Sequence, residues 1–102
     1  MNENAPTMTL EQQLETFNKD KALAEAMIRL QANPDFVKVF KEKFVKDFML
    51  TQVYNLAAYN QQSRVQVHEQ MIARSVFERF QDELLEDGKM AIEGLAELKS
   101  EE

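Results

Sequence analysis

One hundred and two residues with 44% apolar side chains suffice for one small domain and argue against wholesale disorder. Two glycines and two prolines are too few for a turn-rich β fold, and the absence of cysteine rules out a disulfide framework, a thiolate nucleophile and a zinc–thiolate site. The net charge of −6 is local: residues 1–81 balance ten acids with ten bases, whereas the last 21 residues carry eight acids against Lys89 and Lys99. That balance argues against a nucleic-acid surface, which needs clustered bases, and against adhesion to an anionic membrane.

In chain order, residues 1–8 are polar, contain Pro6 and show no periodicity, which suits a flexible lead. The opening MNENAPTMTL has neither a basic region nor an apolar run and is not expected to be a signal peptide. Thr9, with Gln12 three residues on, is a capping box and predicts a helix over about 10–31. Leu10, Leu14 and Phe17, then Leu23, Met27 and Leu30 after a change of phase, predict its buried stripe. Glu15 with Lys19 and Glu25 with Arg29 have the spacing of favourable pairs on one helix face.

Asn33-Pro34-Asp35 is the sharpest punctuation in the chain. Proline disfavours helix at the residue before it and suits the first helical position, so Asn33 is the expected N-cap of a second helix over 34–59. On a wheel of 100° per residue, Phe36, Val37, Phe40, Phe44 and Phe48 share one arc, with most of the lysines opposite. In the second half the apolar residues move to another face: Met49, Leu50, Val53, Tyr54, Leu56 and Ala57. A helix with two apolar faces is expected to meet two different neighbours.

Asn60-Gln61-Gln62 reads as a short link, and Ser63 with Gln66 as a second capping box opening a helix over about 64–98. Gly88 could end it, but Phe77, Leu84, Gly88, Ala91, Leu95 and Leu98 keep helical spacing through the glycine, so the helix is expected to continue. Gly88 and Ala91 then serve as small residues that admit a close neighbour. The domain is expected over 9–99, with 100–102 a disordered tail.

Little here points to chemistry. His68 stands alone, without a carboxylate or nucleophile at a recognised spacing, and reads as an exposed or boundary helical residue. No Glu precedes it by three residues, as a helical dimetal site requires. Carboxylate pairs such as Glu83 with Asp87 and Glu93 with Glu97 lack an EF-hand frame, and no Gly-rich phosphate loop exists. No catalytic, cofactor-binding or metal residues are assigned, and an enzyme is not expected. The apolar helix surface exceeds what three short helices cover, and the acidic last helix reads as an extension without an intramolecular partner. Partner binding is therefore expected at Phe48, Met49, Leu50, Val53, Tyr54, Leu56, Leu84, Ala91 and Leu95.

The run LQANPDFVKVFKEKFVKDFMLTQVYNLAAYN, a polar link, and a long helix ending ERFQDELLEDGKMAIEGLAELKSEE resemble small acidic helical proteins encoded among the virion structural and assembly genes of tailed bacteriophages. The resemblance covers roughly residues 30 to 100 and rests on Asn33-Pro34-Asp35-Phe36, on Lys46-Asp47 before the apolar half-helix, and on the glycine-interrupted acidic tail. It implies a virion component or assembly accessory, found in the virion or the bacterial host cytoplasm. The expected fold is all-α, three helices in a hairpin or bundle that oligomerises. Its partners would be itself or a larger virion protein, with no direct nucleic-acid or membrane contact. The alternative is an inhibitor of a host factor whose acidic last helix blocks a basic surface.

Overall fold

A computed structural model describes residues 8–100, which are helical apart from short connections and contain no strand. The expected lead over 1–8 lies outside these residues except for Met8, and the expected tail over 100–102 except for Ser100, which is helical.

The first helix, Leu10–Gln31, starts as its local sequence dictates. Gln12 N–H donates to Thr9 Oγ1 at 3.1 Å and Thr9 N–H to Gln12 Oε1 at 2.9 Å, which completes the capping box. The second start is equally local: Asn33 Oδ1 accepts from Asp35 N–H at 2.8 Å and from Phe36 N–H at 3.4 Å, with Pro34 at the first helical position.

The central helix departs from expectation in two ways. It runs as Pro34–Phe36, then as an eleven-residue π-helix Val37–Asp47, then as α-helix Phe48–Asn55. In an α-helix a repeat of four moves about 40° round the axis per step. The wider π turn opposes that drift and keeps both Phe40 and Phe44 against Phe77 of the last helix, at centroid distances of 5.7 and 5.5 Å. The helix also ends at Asn55, not at residue 59, in a 3₁₀ turn Leu56–Ala58. Arg64 there donates from Nε to the Leu56 carbonyl and from Nη2 to the Ala57 carbonyl, supplying partners for groups that helix termination leaves open.

The last helix, Gln61–Ser100, opens three residues earlier than the Ser63 capping box predicts. Asn60 takes that role: its Oδ1 accepts from Ser63 N–H at 2.8 Å, and its carbonyl accepts from Arg64 N–H at 2.9 Å. From there the helix passes through Gly88 without a break for 40 residues, about 60 Å.

Both shorter helices lie antiparallel on this long one, in succession. The first occupies its C-terminal half: Gln31 meets Gln81, Ala24 meets Gly88 and Phe17 meets Gly94, steps of seven on the first helix and of seven then six on the last. The central helix takes the N-terminal half, where Lys41 pairs with Glu78 and Arg74 reaches the Phe44 carbonyl. The acidic last helix is thus no lone extension, and that expectation is corrected.

The stripe expected on the first helix holds at Phe17 and Met27 and is corrected at its leucines. Its inward residues are Gln13, Phe17, Asp20, Ala24, Met27 and Gln31, whereas Leu10, Leu14, Leu23 and Leu30 stay exposed. Size decides this more than polarity. A Cβ placed on Gly88 would lie 2.1 Å from the Ala24 Cβ, so the helices approach too closely for leucine at that level.

The result has little interior. Cα extents are 63 × 40 × 15 Å, and the radius of gyration is 19.9 Å against about 13 Å for a compact chain of 100 residues. Accessible surface is 8250 Å², where a compact monomer of 11.9 kDa exposes roughly 6,000 Å².

Candidate interaction surface

Packing between the central and last helices is aromatic. Phe36 stacks on Phe40 at 5.2 Å, Phe40 and Phe44 flank Phe77, and the Arg74 guanidinium lies over the Phe48 ring at 3.6 Å and over Phe44 at 4.4 Å. Arg74 also donates from Nε to the Phe44 carbonyl at 2.8 Å and from Nη1 to Gln70 Oε1 at 2.9 Å. One side chain therefore pins the π-helical stretch by a hydrogen bond and by its cationic face.

That arrangement sorts the expected partner-binding residues. Phe48 and Met49 are half-buried, with Phe48 engaged by Arg74. Leu50, Val53, Tyr54 and Leu56 stand exposed, Val53 at 64% and Tyr54 at 87%. Ala91 is 1% exposed, and Leu84 and Leu95 are half-buried, on the face of the last helix that turns towards the first. Within one chain these three belong to the intramolecular seam.

Two further apolar surfaces were not singled out in the sequence as partner sites. Val65, Ile72, Val76 and Phe80 form an exposed stripe on the back of the last helix, each about half exposed. Beside the seam, Ile28, Leu85 and Ile92 line a groove floored by Ala24 and Gly88 and edged by Lys21, Glu25, Lys89 and Glu93. The readable signal for this groove is heptad position: Ile28, Leu85 and Ile92 each directly follow a seam residue, where an isolated two-helix coil carries charge.

Among the described residues no three His, Asp or Glu side chains come together in a way that could hold a metal. His68 sits in a shallow apolar cleft with Leu56, Arg64, Val65, Glu69 and Met71, at the hairpin between the central and last helices. No described helix is long and apolar enough to cross a membrane. Comparison with protein-family models, curated proteins and solved structures finds no match to this chain.

Proposed function

We infer that this chain is a non-enzymatic helical assembly protein, and that its exposed apolar helix faces are covered by further helices when it works. One observation carries the reading: eighteen large apolar side chains stand exposed among the described residues of a chain with almost no interior. Monomeric proteins rarely leave large apolar patches to water, and helices with two apolar faces commonly bury the second against another chain. The resemblance of residues 30–100 to tailed-phage virion and assembly proteins supports a virion component, bound to itself or docked on a larger virion protein. Multi-angle light scattering on the purified chain is the test. Multiples of 11.9 kDa are expected, and a folded monomer that also ignores virion proteins would remove the reading.

A second reading has its own support. Asp82, Glu83, Glu86, Asp87 and Glu93 are all exposed, and none enters an ion pair among the described residues. Such an acidic face suits occupation of a basic groove on a host factor. Neutralising Glu83, Glu86, Asp87 and Glu93 together should then abolish capture of that factor, and unchanged capture would exclude it.

A further inference from the structure

We propose that the groove between the first and last helices is filled by the same groove of a second copy, giving an antiparallel four-helix bundle about a two-fold axis parallel to the helices. The proposal rests on the self-association inferred above and specifies which face carries it.

The first argument is charge. Lys21 and Glu25 line the groove from the first helix, and Glu93 and Lys89 line it from the last. None of the four closes an ion pair among the described residues, where Lys41–Glu78 is the only pair within 4.0 Å. Glu25, four residues before Arg29, does not close that pair either. The register that sets Ala24 beside Gly88 puts Glu93 two residues, about 3 Å along the axis, beyond the level of Lys21, and Lys89 the same distance beyond that of Glu25, within reach of these long side chains. A two-fold axis along the helices keeps each residue at its own level and lays the first helix of one copy over the last helix of the other. Lys21 then meets the second copy's Glu93, and Glu25 meets its Lys89, with both pairs repeated by symmetry. A perpendicular axis would instead bring the two Lys89 side chains close together, so charge selects the parallel axis.

The second argument is shape and area. Ile28 of one copy comes over Leu85 of the other, and the stem of Lys21 over Ile92, so apolar atoms fill the groove while the ammonium reaches its rim. Every helix acquires only antiparallel neighbours, the arrangement of up-down bundles. A face one first-helix long, about 33 Å, and two helices wide, about 20 Å, covers roughly 650 Å² per copy. Both copies together reach the 1,200–2,000 Å² range of stable interfaces.

The test uses the full chain with Lys21→Glu and Glu93→Lys, made separately, with circular dichroism to verify that each is helical. In either variant both symmetry-related contacts become like-charged, and dimer dissociation should rise at least about tenfold. In an equimolar mixture with one variant isotope-labelled, the hetero-pair restores both contacts, and native mass spectrometry should find it in clear excess over either homodimer. If the wild type dimerises and both variants dimerise equally well, the groove is wrong while self-association stands. Weakened variants that fail to rescue each other overturn the facing of Lys21 and Glu93. A wild type that stays monomeric up to about 0.1 mM overturns this proposal and the self-association reading together.

Discussion

Two glycines in the same helix carry opposite expectations. A Cβ at Gly88 would lie 2.1 Å from the Ala24 Cβ, and that atom is fixed to helix backbone, so Gly88→Ala must push the two helices apart. Overpacking of this kind costs about 1–3 kcal/mol, against a helix-propensity gain near 1 kcal/mol. Urea unfolding should show Gly88→Ala destabilised. At Gly94 the added Cβ would meet only the Phe17 ring, at 2.6 Å, and that ring can swing away. Gly94→Ala should therefore be close to neutral, and the difference between the two variants reports the close approach at Gly88. A polar residue makes the same seam specific. Gln81 is 1% exposed, accepts from Gln31 Nε2 at 3.1 Å and donates to the Phe77 carbonyl at 3.4 Å. Gln31→Ala leaves the buried Gln81 oxygen without its donor and should lose about 1–3 kcal/mol. Replacing both glutamines with leucine should recover most of that loss, because no buried polar atom is then orphaned. Thermal melts of the single and double variants distinguish the two outcomes.

At the scale of elements, the π-helical stretch and Arg74 act as a unit. Arg74→Lys keeps the charge but loses the planar fork that bonds the Phe44 carbonyl while covering two rings. It should cost about 1–2 kcal/mol and raise amide exchange over Val37–Asp47, leaving Leu10–Gln31 unaffected. The legibility of the chain divides here. The starts at Thr9 and Asn33 could be read because caps are made within three residues. Continuity through Gly88 could be read because spacing on both sides agreed. The π stretch could not, since a wheel drawn at 100° per residue presupposes the α turn. The inward face of the first helix was also hidden: Asp20 and Ala24 face in because Gly88 and Gly94 bring the helices close, which is a property of the pair. Leu50, Val53, Tyr54 and Leu56 stood out by their change of face, and they are exposed. Ala91 lies 1% exposed in the seam with the first helix, a neighbour that the sequence reading did not give the last helix.

For the whole molecule, thinness is the property that matters. The Cα atoms spread over 63 × 40 Å but only 15 Å in the third direction, about two helix layers, so the apolar residues on the outer faces are covered by nothing else among the described residues. Assembly and stability are then linked: whatever covers those faces binds the folded state alone and stabilises it by mass action. Following the thermal midpoint of the full chain by circular dichroism over a hundredfold range of concentration tests this link directly. A self-associating chain predicts a midpoint that climbs steadily with concentration. A midpoint that does not move, with helicity intact throughout, would contradict it.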